Sequence, residues 1–126
     1  MAFRETLTEP KAEGKTAKIT AVIEDEDENG VALANLTTVT LTLFEDRSKA
    51  IINSRNQTDI KNAGPGVIST TGGNLTLTLT PDDMAILVAS NDAERHVAFI
   101  EWTYSSGTKS GGYEIAFTVT NLAKVS

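Results

Sequence analysis

Threonine alternates with leucine at a period of two in two separate stretches, and no other feature of this chain restricts its fold as much. In NLTTVTLTLF, Val39, Leu41 and Leu43 alternate with Thr38, Thr40 and Thr42; in NLTLTLTP, Leu75, Leu77 and Leu79 alternate with Thr76, Thr78 and Thr80. Successive side chains of an extended strand point to opposite faces, so each stretch predicts one apolar face and one hydroxyl-bearing face. β-Branched threonine suits a half-exposed pleated surface. Eighteen threonines among 126 residues carry the same character along the chain. The pattern predicts antiparallel sheets packed on one side and wet on the other.

Further strands follow from the same alternation. KTAKITAVIE predicts a first strand with Ala17, Ile19, Ala21 and Ile23 inward. AIINSR reads as a short strand after the EDRSKA turn, and GVIST as the partner of the second Thr–Leu stretch across Gly72–Gly73. HVAFIEWTY is apolar on both faces, with Val97 and Phe99 on one and Ala98, Ile100, Trp102 and Tyr104 on the other, which predicts a central strand. After the Gly-rich hairpin SSGTKSGG, YEIAFTVTNL returns with Tyr113, Ile115, Phe117 and Val119 inward. The helical candidate is PDDMAILVASND, near residues 81–91. Pro81 suits a first helical position, Thr80 an N-cap, and Asp82 and Asp83 the positive end of the helix. About seven strands and one short helix predict an all-β, immunoglobulin-like antiparallel β-sandwich. The domain is expected over residues 15–126, preceded by a polar arm over 1–14.

Composition narrows the function classes. A chain that is 40% hydrophobic over 126 residues fills one compact core. A net charge of −6 disfavours nucleic acid, whose phosphates call for a basic stripe, and disfavours an anionic membrane surface. Without cysteine there are neither disulfides nor thiolate metal sites. The N-terminus, MAFRETLTEPKAEGKTAK, lacks an apolar signal-peptide core, and no apolar run is long enough to span a membrane. Synthesis in a cytoplasm is expected.

One segment suggests metal chemistry. IEDEDENG places Asp25, Asp27 and Asn29 at calcium-loop spacing, followed by Gly30. A calcium loop of that type also needs a bidentate Glu at its twelfth position, where this chain has Leu36. The preferred reading is a solvated acidic turn that uses Asn29–Gly30 for its positive-φ residues, with Asp25, Asp27 and Asn29 kept as weak metal candidates. Ser106 to Lys109 fits S-x-x-K but lies in a hairpin tip. His96 is the only histidine, expected at a strand start with no triad partner in evident spacing. Asp82 and Asp83 read as first-turn charge. Asn35, Asn56 and Asn74 head glycosylation sequons, but no secretion signal accompanies them. Trp102 and Tyr104 read as core, or as an aromatic face meeting a partner. Neither catalysis nor a cofactor is expected from these residues.

The order of the pieces resembles a known family. An opening strand runs into D-E-D-x-N-G, then A-L-A-N-L-T-T-V-T-L-T-L, then I-I-N-S-R-N. These are followed by G-N-L-T-L-T-L-T-P-D-D-M, H-V-A-F-I-E-W-T-Y, a Gly-rich hairpin and Y-E-I-A-F-T-V-T. From about Lys15 to Leu122 this layout resembles the small immunoglobulin-like structural proteins of tailed bacteriophages. It is also similar to the N-terminal β-sandwich domain of phage baseplate upper proteins. The resemblance implies a non-enzymatic virion component of the neck, head–tail connector or tail. It would be made in the host cytoplasm and assembled as a symmetric ring with copies of itself and with portal, connector or tail proteins. Baseplate proteins continue into longer regions, so the length of this chain suits a stand-alone neck or head–tail accessory role better. The arm over 1–14 and the loop over 56–66 are the segments expected to order on neighbours. The second expectation is a carbohydrate-binding or adhesin-type sandwich, with exposed aromatics near Trp102 or Tyr104.

Overall fold

A computed structural model describes residues 4–122. Nine strands are present among them: β1 Arg4–Thr6, β2 Lys11–Ala12, β3 Ala17–Val22, β4 Leu36–Glu45, β5 Thr58–Asp59, β6 Gly66–Ile68, β7 Asn74–Leu79, β8 Ala93–Tyr104 and β9 Lys109–Thr120. One sheet runs β1-β9-β8-β4-β5 with β2 also on β9, and the other runs β3-β7-β6. The two sheets form the expected β-sandwich. All pairings are antiparallel except those of β1 and β2, which run parallel to β9.

The period-two reading places the core correctly. Val39, Leu41 and Leu43 of β4 sit opposite Trp102, Ile100 and Ala98 of β8, and all six are buried. From the other sheet, Ile19, Leu75, Leu77 and Leu79 close against them in one apolar cluster. The outer-face hydroxyls of β4 bond one another and the chain nearby. Thr38 Oγ1 lies 2.7 Å from Thr103 Oγ1, and Thr42 Oγ1 accepts the Gln57 N–H at 3.0 Å. The central strand is β8, held between β4 and β9.

Three expectations need correction. The ten-residue helix is absent: Pro81–Met84 makes one 3₁₀ turn, and Ala85 leaves it in extended conformation at ψ 139°. Thr80 and Asp83 form a capping box there, so the start signals act as predicted. Elongation fails because Ile86 and Val88 are β-branched, and because the Leu87 and Val88 N–H groups go to the Glu94 carboxylate at 2.9 Å each. AIINSR contributes a single bridge, Phe44 to Ile51, rather than a strand. The acidic turn takes its positive φ at Glu28 (64°) and not at Asn29–Gly30. Gly30 serves close approach instead, since a Cβ there would lie 2.0 Å from the Gly72 carbonyl oxygen.

Both segments expected to order on neighbours have partners within the chain. Residues 4–12 lie along β9, with Arg4 opposite Glu114 and Lys11 opposite Val119; Met1 to Phe3 fall outside the described residues. In the loop over 56–66, β5 pairs with β4, Ile60 is fully buried, and Asn62 Oδ1 accepts the Ile68 N–H at 2.6 Å.

Candidate functional site: the acidic turn and the buried carboxylates

The acidic turn is closed by its own first carboxylate. Asp25 Oδ1 accepts the Asp27 N–H at 2.9 Å and the Asn29 N–H at 3.0 Å, while the Asp25 N–H donates to the Asn29 carbonyl at 2.8 Å. The three metal candidates are thus neighbours, but Asp27 and Asn29 meet Asp25 through their backbones rather than by converging side-chain oxygens. No group of three or more metal-capable side chains occurs among the described residues.

Glu26 ties the turn to the sheet. Its carboxylate accepts from the Tyr104 hydroxyl at 3.0 Å and forms an ion pair with Lys109. Lys109, the Glu26 backbone N–H and Tyr104 together lower its pKa from 4.5 to about 2. The Trp102 Nε1–H donates to the Glu24 carbonyl at 3.1 Å. Trp102 is 5% exposed and Tyr104 7%, so neither presents a ring face on which a sugar or base could stack. The S-x-x-K segment is explained by the same contacts. Ser105 and Ser106 form the hairpin tip at positive φ, and the Lys109 ammonium belongs to Glu26.

Around the turn lie open grooves. One, about 550 Å³, runs between the edge of β3 and the N-terminal strand of the other sheet. Ala21, Leu75, Glu5, Glu24, Glu28 and Tyr113 are among the residues that line it. A second, about 490 Å³, is bordered by Asp25, Glu26, Asn35 and Lys109. Both are shallow.

Two carboxylates are buried at the opposite end of the sandwich. Asp83 receives Asn53 Nδ2 at 2.7 Å, Arg55 Nε at 2.9 Å and the Thr80 N–H at 2.8 Å. Burial alone would raise its pKa, but the bonds from Arg55, Asn53 and Thr80 outweigh this and leave it lowered. Glu94 accepts the Leu87 and Val88 N–H groups, Asn91 Nδ2 and His96 Nε2, each at 2.9 Å. Burial again opposes ionisation, and the four donors still bring its pKa from 4.5 to about 2. An ionised Glu94 only accepts, so His96 carries its proton on Nε2. His96 Nδ1 is buried without a hydrogen-bond partner, and the ring meets Phe117 edge-on at 6.1 Å.

No family model matches this chain, and neither does any curated protein or solved structure.

Sequence reasoning missed the Glu94–His96 pair although its signal was present. Both residues share the parity of Ala98, Ile100, Trp102 and Tyr104, so the inward row of β8 extends back through them. Stopping the strand at His96 hid that. The pair holds a loop in place: His96 Nε2 meets Glu94, whose other oxygen contacts fix the Leu87 and Val88 backbone.

Proposed function

We propose that this chain is a non-enzymatic structural protein of a tailed-phage virion, assembling in several copies at the neck, head–tail connector or tail. The observation that carries this reading is the ordered layout of the sequence, from the acidic turn through TPDDM to the closing hairpin. Two structural facts support the non-catalytic part. The buried carboxylates Asp83 and Glu94 are occupied with fixing backbone loops. In the groove beside the hairpin tip, the Lys109 ammonium next to Ser106 is held by Glu26. Assembly modules of this kind act through sheet edges and loops rather than pockets.

Immunogold labelling of purified particles with an antibody to this chain tests the placement, and native mass spectrometry tests the assembly. The reading expects label at the head–tail junction or along the tail, and a closed oligomer at high concentration. Particles without label, together with a chain that stays monomeric alone and with connector proteins, would overturn it.

A further inference from the structure

In an immunoglobulin-type sandwich the first strand ordinarily joins the sheet of the second, covering its edge. Here β1 and β2 both lie on β9 in the opposite sheet, and β3 pairs with β7 alone. Which backbone groups this leaves open follows from the register. The Ile23 N–H donates to the Gly73 carbonyl at 2.7 Å, and Ala21, Ile19 and Ala17 stand opposite Leu75, Leu77 and Leu79. N–H and C=O directions alternate along a strand, so odd-numbered residues of β3 face β7. The Thr78 N–H, which donates across to Pro65 at 2.9 Å, confirms the alternation from the β6 side. Lys18, Thr20 and Val22 therefore point their N–H and C=O groups away from the sheet, and among the described residues no backbone group meets them.

The surroundings say what would fit. The groove of about 550 Å³ runs beside this edge at Thr20–Val22 and is also lined by Ala21 and Leu75. Its carboxylates are Glu5 of β1 and Glu24 and Glu28 of the acidic turn that follows β3. Val22 is 46% exposed at the same place. A strand added here would send alternate side chains towards a groove that carries three carboxylates. A second copy of the chain is disfavoured, because it would bring a second set of these acids and another net −6 to the same side.

We propose that the free edge of β3 is a docking site for an extended, basic segment of a partner protein, added as a further strand. Backbone bonds to Lys18, Thr20 and Val22 give the affinity, and alternating basic side chains towards Glu5, Glu24 and Glu28 give the preference. This does not depend on the chain belonging to a virion.

The probe is a capped peptide of alternating lysine and valine, titrated into isotope-labelled full-length protein and followed by amide NMR. Shifts and exchange protection are expected at Lys18, Thr20 and Val22, weakening as salt is raised. The variant Thr20→Pro removes an outward N–H without touching the bonds to β7, a position where edge strands tolerate proline. It should bind about fivefold or more weakly, while Leu75 and Leu77 amides stay protected. The double variant Glu5→Gln, Glu24→Gln leaves the backbone unchanged and should lose both affinity and salt dependence. An alternating glutamate–valine peptide that binds equally well overturns the charge argument. Absence of shifts at β3, or β3 protection in the concentrated protein alone with a dimer mass, overturns the docking site itself.

Discussion

Glu94 shows how much one side chain can organise. Four donors converge on it, and two are consecutive backbone N–H groups of the segment that would otherwise continue the helix at Pro81. The variant Glu94→Gln turns one acceptor oxygen into a donor facing donors. It should cost about 2–4 kcal/mol in urea unfolding, because buried N–H groups lose a charged acceptor. The pH dependence has a definite sign. The folded pKa lies below the unfolded one, so the stabilisation is complete above about 4.5 and fades as pH falls towards about 2. Its full size is roughly 3 kcal/mol at most. Unfolding free energies measured over this range should fall steeply for the native protein and more gently for the variant; parallel curves would contradict the assignment. At the acidic turn, Asp25→Ala removes the acceptor for two N–H groups and should cost about 1 kcal/mol. If the turn is only a turn, the loss is the same with calcium and with a chelator. A calcium-dependent rise in melting temperature that disappears in the variant would instead establish a metal site.

Legibility differed sharply between elements. Strands β3, β4, β7, β8 and β9 were readable because period-two alternation encodes a buried face directly, and apart from Leu36, Val97 and Ala116 their buried residues follow that parity. The start of the 3₁₀ turn was readable too, since Thr80, Pro81 and Asp83 cap it as their chemistry predicts. Its early end was not: it depends on Glu94, a residue seven positions beyond Leu87 whose role exists only once β8 is in place. The placement of β1 and β2 was likewise hidden. RET and KA are too short to carry a period, and Arg4 finds Glu114 and Asp46 only in three dimensions. The Arg4–Asp46 pair is partly exposed, which keeps its worth near 0–1 kcal/mol. The central apolar elements dominate: Leu77→Ala, emptying a fully buried site on β7, should cost about 2–5 kcal/mol by chemical denaturation. A cost below 1 kcal/mol would mean that the two sheets close over the gap.

At the scale of the molecule, the sandwich is assembled from pairings distant in sequence, such as β4 with β8 and β1 with β9. Folding should therefore take milliseconds to seconds, as stopped-flow fluorescence of Trp102 would show; a microsecond phase carrying the full amplitude would contradict the topology. The parallel pairing of β1 and β2 with β9 has a mechanical consequence. The chain enters the sheet at Arg4, opposite Glu114, and leaves β9 beyond Thr120, past the Lys11–Val119 pair. Tension applied at those two points pulls neighbouring parallel strands in opposite directions along their length. The hydrogen bonds between them are then loaded together, in shear, rather than opened one after another. Pulled through Arg4 and Thr120, the protein should yield at a higher force than when pulled across the β8–β9 hairpin, where the bonds unzip in sequence. Single-molecule stretching along the two directions would measure the difference, and equal rupture forces would show that the N-terminal strands bear no load.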